Sequence, residues 1–454
     1  MVCKISLQLG TVDPVRRRYG APRSGLGSAI RGITMGIRAT RRVAAAASTA
    51  FAIAAAGVVV ATGADGATPP AASSAAAASA SASASTSAGL PPLDPAVLHQ
   101  AIAVQPGEAA AGTVALVQGG GQSWQGTSGD TQTGRPVPGD AHFRIGSISK
   151  TFEAVVLLQL VGEHRVDLDQ SVQRYLPGLL PADFQPITVR ELLDMTSGLP
   201  QIGAGGPVPT DDQVIDGRFG YQTFAQVVES TLRPAGRPWP GPVFAPGTAQ
   251  AYNSLNYRII GLLIEHVTGQ SFKDEVTARV LNPLHLTGTF VPQSAPAMPS
   301  PYLHGYMTDS EGAVVDVSAQ GGDSSSMIST TADLDRFVTA LFQGRLLPPA
   351  LLAQMFALPH DAQGNLLPYT GDDGNCETGP QHGEACFGLG IGSDTLPDGT
   401  VLWGKTGQDL GYFSAVFATR DLRRVGVLSV GVTDTAAEAG LMTANRLAVA
   451  AFSS

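Results

Sequence analysis

Hydrophobic and polar residues alternate near both ends of the folded part of the chain and follow a helical period between them. Residues 113–118 and 122–126 alternate around a glycine triplet, which predicts two early strands. The run 155–161 is apolar on nearly all sides, which predicts a central helix. Further helices are predicted at 224–232, 255–267, 272–281 and 332–342, strands at 387–391, 400–403, 412–418 and 425–432, and a last helix at 436–452.

Strands at both ends with helices between them indicate an α+β fold, in which one sheet is assembled from both ends of the chain. Roughly residues 165–300 would form a helical lobe inserted into that unit. We expect residues 93–454 to form one catalytic domain, with its functional site between the two lobes.

The first 92 residues do not have the pattern of a folded domain. Residues 35–67 combine basic residues, an uncharged run at 43–64 and small residues near its end, which is typical of a secretory signal. A membrane anchor formed by 43–64 is the alternative, and Met35 is a candidate for the true start. The Ala/Ser/Pro-rich stretch 68–92 is expected to be a flexible linker behind the leader, residues 1–67. We therefore expect a secreted or extracytoplasmic protein of the cell-wall space.

The charge distribution argues against a nucleic-acid partner. The whole chain has a net charge of −9, and its first 67 residues carry nine Lys or Arg against two Asp, so the remainder has a net charge of −16. Such an acidic surface repels phosphate groups. The sequence also lacks a glycine-rich phosphate loop, a zinc signature and a Gly-x-Ser-x-Gly elbow, so we expect no cofactor and no metal.

Two of the three cysteines lie in the predicted domain. Cys376 and Cys386 have nine residues between them, and in an exported protein they most simply form a disulfide. His382 between them leaves a metal site as the alternative, although no second pair of ligands has a suitable spacing. We predict the disulfide.

Lysine is rare in this chain, and one lysine follows a serine at a distance of three residues. Lysine occurs only at positions 4, 150, 273 and 405, whereas all other cations are arginine. Lysine, unlike arginine, can lose its proton when it is desolvated. If Ser147 lies in the first turn of the buried helix, Lys150 lies on the same face and can activate its hydroxyl. A capped helix with a surface lysine is the alternative for this motif alone.

Two further short motifs contain candidate site residues. Tyr252 precedes a predicted helix, and a tyrosine near two lysines can relay protons, although a packed tyrosine at a helix start is the alternative. The third motif, Lys405-Thr406-Gly407, lies between strand-like runs. Along an open strand edge, Lys405 would supply a cation and Thr406 a hydrogen-bond donor to a substrate carboxylate. A solvated lysine at a sheet edge is the alternative there.

Together the three motifs resemble the penicillin-recognising serine hydrolases. They are Ser147-Ile148-Ser149-Lys150, Tyr252-Asn253-Ser254 and Lys405-Thr406-Gly407, and stretches such as ITVRELLDMTSGLP match the same family. The resemblance covers residues 95–450 approximately and is closest to secreted D-alanyl-D-alanine carboxypeptidases and class C β-lactamases. It implies a β-lactamase/transpeptidase-like fold, which is a mainly antiparallel sheet flanked by helices with an inserted helical lobe.

The resemblance also implies roles for the site residues. Ser147 would attack a carbonyl to form an acyl-enzyme, with Lys150, Tyr252 and Lys405 as the other catalytic residues. The backbone N–H groups of Ser147 and Gln408 would bind the oxyanion. The substrate-binding set would be Asn253, Ser254, Thr406, Gly407 and Gln408.

The chain departs from the family pattern at two places. The second motif usually ends in asparagine, but Ser254 stands there, and a hydroxyl cannot replace an amide that both accepts and donates. Ser325 and Ser326 stand where relatives often have glycines. Both departures bear on substrate preference more than on acylation.

The function that we predict is a secreted D-alanyl-D-alanine carboxypeptidase that acts on peptidoglycan stem peptides. Its alternatives are a class C-like β-lactamase, an esterase or D-amino-acid peptidase on the same scaffold, and a penicillin-binding module with little turnover. The expected partner is a stem peptide or a β-lactam, with membrane contact only if the signal segment is retained. We expect a monomer.

Overall fold

The computed structural model describes residues 90–453 except 131–133, 183, 205, 372, 377–381 and 435–436. The predicted secretory signal, the alternative anchor at 43–64 and nearly all of the predicted linker lie outside the described residues. Among the helices in the described part of the chain, none is long and apolar enough to cross a bilayer.

The largest sheet is built from both ends of the domain, as the sequence predicted. Its six strands are ordered β2-β1-β12-β11-β10-β9, and all neighbours are antiparallel. The strands of the domain are β1 (Ala110–Gly119), β2 (Gln122–Gly129), β3 (Phe143–Arg144), β4 (Tyr221–Gln222), β5 (Tyr306–Thr308), β6 (Val314–Asp316), β7 (Gly322–Asp323), β8 (Ile328–Ser329), β9 (Gly392–Thr395), β10 (Val401–Asp409), β11 (Tyr412–Thr419) and β12 (Arg424–Val432).

The helices precede, follow and interrupt this sheet. They are α1 (Pro95–Ile102), α2 (Ser149–Gly162), α3 (Val172–Tyr175), α4 (Val189–Leu193), α5 (Asp211–Gly217), α6 (Phe224–Leu232), α7 (Ser254–Thr268), α8 (Phe272–Val276), α9 (Thr331–Phe342), α10 (Pro349–Met355) and α11 (Glu438–Phe452). Most of them lie between β3 and β9, so the helical lobe is an insertion into the sheet unit.

The large sheet is covered by apolar side chains on both faces. On one face, Leu98 of α1 and Leu447 of α11 pack on Phe417 and Leu428 of the sheet. The other face contributes to a larger core that includes α2 and α9. The rings of Phe152 and Phe337 stack there with their centroids 3.7 Å apart. This sheet between two helical layers is the architecture that the resemblance implied.

Three predicted elements differ from those observed. Residues 387–391 were predicted as a strand, but Gly390 has a φ of 83° and the chain turns there, so β9 begins at Gly392. The helix predicted at 272–281 ends at Val276 and continues as a π-helical turn, Thr277–Leu281. The strand predicted at 400–403 extends to Asp409, which places the third motif within β10.

Candidate active site

Ser147 lies in a 3-10 turn, Gly146–Ile148, that leads into α2. The helix begins at Ser149, so Ser147 stands just before the first helical turn instead of within it. Gly146 has a φ of 47°, and a Cβ at this position would lie 2.6 Å from the backbone N of Gln408. Glycine is therefore required where the turn approaches β10.

The structure brings the first two motifs together on the Ser147 hydroxyl. Lys150 Nζ lies 2.9 Å from Ser147 Oγ, and Tyr252 Oη lies 2.7 Å from the same oxygen. Lys150 is on α2, whereas Tyr252 lies just before α7, with Asn253 between it and the helix. A serine within hydrogen-bond reach of both an amine and a phenol has two groups that can exchange its proton.

Lys150 is in an environment that disfavours its charged form. It is 2% exposed, and its pKa lies well below the usual value because burial removes solvent and because Arg258 and Lys405 carry like charges. The carboxyl groups of Glu153 and Asp323 act in the opposite direction on this pKa. The net lowering favours a neutral amine, which is the form that accepts a proton.

Lys405 approaches the site from the side of the sheet. Its ammonium group lies 4.8 Å from the centroid of the Tyr252 ring and donates to the carbonyl of Thr406 at 2.8 Å. The side chain is 2% exposed. At this distance the cation is attracted to the electron-rich face of the phenol ring.

The third motif lies on β10 next to the turn of Ser147. The pairing of β9 with β10 ends at Gly404, so the motif lies beyond the end of the outer strand. A Cβ on Gly407 would clash with the carbonyl of Ile145 and lie 2.9 Å from the backbone N of Ser147. Glycine thus allows the backbone of β10 to lie against Ser147, with Gln408 as the next residue.

Thr406 is a predicted substrate-binding residue that lies on the inner side of the sheet, away from Lys405. It pairs with Ala415 of β11, and Ala415 belongs to the core beneath α1 and α11. Paired residues share a sheet face, so Thr406 lies on the face opposite to that of Lys405. Thr406 is fully buried, and among the described residues its hydroxyl has no hydrogen-bond partner.

Asn253 and Ser254 have different positions in the structure. Asn253 caps α7 through the Leu255 N–H and donates to the carbonyls of Leu199 and Pro200. All of these contacts are structural, so its amide is not available for the role that asparagine fills in relatives. Ser254 is the first residue of α7, is half-buried and follows Tyr252 by two positions.

Ser325 and Ser326 close a turn around a carboxylate. Ser325 donates to Asp323 Oδ1 at 2.7 Å, and Ser326 Oγ accepts from the Asp323 N–H at 3.0 Å. Asp323 pairs with Arg258 of α7. The two serines therefore fix the position of Asp323, whose charge raises the pKa of Lys150.

Cys376 and Cys386 form a disulfide with their Cα atoms 5.4 Å apart. Phe387, the residue after the second cysteine, packs on Tyr252 with ring centroids 5.6 Å apart. No cluster of metal ligands occurs among the residues that the structure describes.

Sequence reasoning missed several residues that surround the site. Glu153 is fully buried in α2, and burial raises its pKa to about 8. A single acid in an otherwise apolar run was a visible signal, and it was not used. Arg258 and Gln250 gave no such signal, because their partners lie far away in the chain.

Comparisons with known proteins identify the family of the chain. The Beta-lactamase family model matches residues 99–451. A D-stereospecific amidohydrolase from Streptomyces sp. is 30% identical, with a TM-score of 0.64 over 79% of this chain and 99% of that chain. A β-lactamase from Yersinia enterocolitica is 28% identical over 48% of this chain and 51% of its own length.

A further relative is penicillin-binding protein 4 of Amycolatopsis lactamdurans. It is 33% identical over 34% of this chain and 37% of its own length. The matches to these two curated relatives thus span about half of their length or less. The family model, in contrast, covers most of the chain, including all three motifs. The chain belongs to the beta-lactamase family of serine hydrolases.

Proposed function

We propose that the protein hydrolyses amide bonds next to D-amino acids through an acyl-enzyme on Ser147. The observation that carries the proposal is the convergence of Lys150 Nζ and Tyr252 Oη on Ser147 Oγ, at 2.9 and 2.7 Å. The D-stereospecific amidohydrolase, which matches over almost its whole length, supports the substrate class.

The proposed reaction proceeds in two halves. Neutral Lys150 takes the hydroxyl proton as Ser147 Oγ bonds to the carbonyl carbon, and the N–H groups of Ser147 and Gln408 bind the oxyanion. Tyr252 then gives its proton to the leaving nitrogen as the C–N bond breaks, and Lys150 returns a proton to the phenolate. Water attacks the ester by the reverse proton transfers and releases the acid.

Two more specific substrate classes are consistent with this reaction. A D-alanyl-D-alanine peptide of peptidoglycan remains our first candidate, since the relatives include a penicillin-binding protein and the predicted signal would deliver the enzyme to the wall. A D-amino-acid amide is the second candidate. It is favoured by the burial of Lys150 and Lys405, because a terminal carboxylate requires an accessible cation.

The test is a substrate panel with the domain at 93–454. The panel contains an N-acyl-D-Ala-D-Ala peptide, D-phenylalanine amide, the L-isomers of both and a chromogenic cephalosporin. Turnover of a D-substrate with at least about a hundredfold preference over its L-isomer is expected, which corresponds to about 2.7 kcal/mol. Ser147→Ala is the control for a contaminating hydrolase.

The panel also separates the alternatives. Release of D-alanine favours the carboxypeptidase, and release of ammonia favours the amidase. A cephalosporin adduct that disappears within minutes, seen by intact mass, favours the β-lactamase. Equal rates with D- and L-substrates, or no Ser147-dependent turnover or adduct at all, would overturn the proposal.

A further inference from the structure

A segment whose described residues are 367–371, 373–376 and 382–387 lies against the residues that precede α7, and Gln250 joins the two. Gln250 is fully buried. Its Oε1 accepts from the N–H groups of Cys386 and Phe387 at 2.9 and 3.1 Å, and its Nε2 donates to the carbonyls of Phe387 and Asp194 at 2.8 and 2.6 Å. The amide oxygen of the side chain thus accepts two hydrogen bonds, and the amide nitrogen donates two.

The backbone of Gln250 makes two more bonds to the same segment. Its N–H donates to the carbonyl of Pro368, and its carbonyl accepts from the N–H of Thr370, both at 2.9 Å. The segment is closed on itself by the disulfide between Cys376 and Cys386. Gln250 and the disulfide therefore hold the two ends of the segment in one place.

Tyr252 is two residues after Gln250 and contacts this segment twice. Its N–H donates to the hydroxyl of Tyr369 at 3.2 Å, and that hydroxyl donates to Asp373 at 2.7 Å. Its ring packs on Phe387, and the ammonium group of Lys405 lies 5.9 Å from the centroid of Phe387. The segment thus contacts both the backbone and the ring of the residue that reaches Ser147.

We propose that Gln250 is a positioning residue, and that Gln250 and the disulfide together hold Tyr252 at Ser147. The inference rests on the proposed function only in assigning Tyr252 to the reaction. The segment makes no proton transfer itself. It limits the positions of the phenol by fixing the ring on one side and the peptide group on the other. An enzyme assembled this way is fully active only after the disulfide has formed.

The first experiment is a kinetic double-mutant cycle between Gln250→Leu and Tyr252→Phe. Leucine keeps the approximate volume and removes the side-chain hydrogen bonds. When Tyr252 is present we expect a 10- to 100-fold loss of the acylation rate, roughly the effect of a misplaced reacting group, with little change in KM. In the Tyr252→Phe background the loss should shrink to about twofold, because the group that Gln250 positions is absent.

Gln320→Leu is the matched control. Gln320 is also a buried glutamine whose Nε2 donates to two backbone carbonyls, those of Val317 and Leu410. It has no hydrogen bond to the described residues of the segment, so Gln320→Leu should lower the acylation rate by the same factor with and without the Tyr252→Phe change. Equal losses for Gln250→Leu with and without the Tyr252→Phe change would mean a general structural role and would overturn the inference.

The second experiment does not require activity, so it separates the inference from the proposed function. Amide hydrogen exchange is compared among wild type, Gln250→Leu and the Cys376→Ser/Cys386→Ser variant. We expect about tenfold faster exchange or more in peptides that contain residues 249–254 for both variants, with α9 and β12 unchanged as internal references. Unchanged exchange at 249–254 would overturn the inference even in an active enzyme. If exchange at 249–254 is faster in both variants as expected but the protein acylates no substrate, only the proposed function is overturned.

Discussion

Arg258 and Asp323 form an ion pair beside the active site, with Arg258 Nη2 2.5 Å from Asp323 Oδ2. Arg258 is in α7 and Asp323 is in β7, so the pair joins the helical lobe to a short strand. The two charges have opposite effects on the pKa of Lys150, because Arg258 lowers it and Asp323 raises it. Substitutions of Arg258 and Asp323 can therefore test whether Lys150 is the general base of the reaction.

The first prediction concerns the acid limb of the pH profile. Arg258→Gln removes the cation that lowers the pKa of Lys150 and leaves Asp323 uncompensated, so the acid limb of kcat/KM should move to higher pH. Asp323→Asn should move it to lower pH for the converse reason. A displacement of about one pH unit corresponds to about tenfold in rate at a fixed pH on that limb. Both variants break the same ion pair, so limbs that move in the same direction would argue against Lys150 as the titrating base.

The second prediction concerns the acylated residue. Ser147→Ala should abolish adduct formation with a penicillin while the melting temperature stays within a few degrees, because Ser147 is half-buried in a short turn and contributes no apolar side chain to the core. Peptide mapping of the wild-type adduct checks this. A label on Ser149, which is buried in α2, or on Ser254 would contradict it.

The third prediction concerns Ser254, where the chain departs from the family pattern. Asn253 cannot supply the missing amide, because that amide donates to Leu199 and Pro200. Ser254→Asn should therefore raise the rate of β-lactam acylation by a few-fold to about tenfold, roughly one hydrogen bond of 0.5–1.5 kcal/mol. Stopped-flow acylation by one cephalosporin measures the effect. A slower variant with an unchanged melting temperature would indicate a site shaped around serine for another acyl donor.

The fourth prediction concerns the pH dependence of stability. Asp194 is 5% exposed, and burial raises its pKa to about 7, against the opposing hydrogen bonds from Thr196. The folded protein therefore holds a proton that the unfolded chain releases near pH 4, so the contribution of Asp194 is present below about pH 4 and is lost as the pH rises to about 7.

Asp194→Asn removes that titration. The stability of the variant relative to wild type should rise with pH over this interval, by at most about 1.4 kcal/mol per unit. Urea unfolding at several pH values measures the difference. A stability difference that is independent of pH would mean that Asp194 is ionised in the folded protein throughout this range.

The sequence by itself determined the order of the elements and the residues that meet at Ser147. The buried helix α2, the strands β11 and β12 and the caps of α6 and α7 follow from neighbouring residues, because periodicity and capping act over a few positions. The motifs at Ser147, Tyr252 and Lys405 are visible in the sequence as well, and the resemblance to the penicillin-recognising serine hydrolases implied that they form one site. Each is a short run beside a recognisable hydrophobic pattern.

Only the tertiary structure decided which residues position those side chains and which charges shift their pKa values. The lowered pKa of Lys150 depends on Arg258, more than 100 positions away in the chain, and the amide of Gln250 binds Phe387 at a similar separation. Burial and Coulomb interactions depend on distance in space, which local patterns do not encode. The same reason explains why the sequence could not tell that the amide of Asn253 donates to the carbonyls of Leu199 and Pro200, or that Thr406 faces the core beneath α1 and α11.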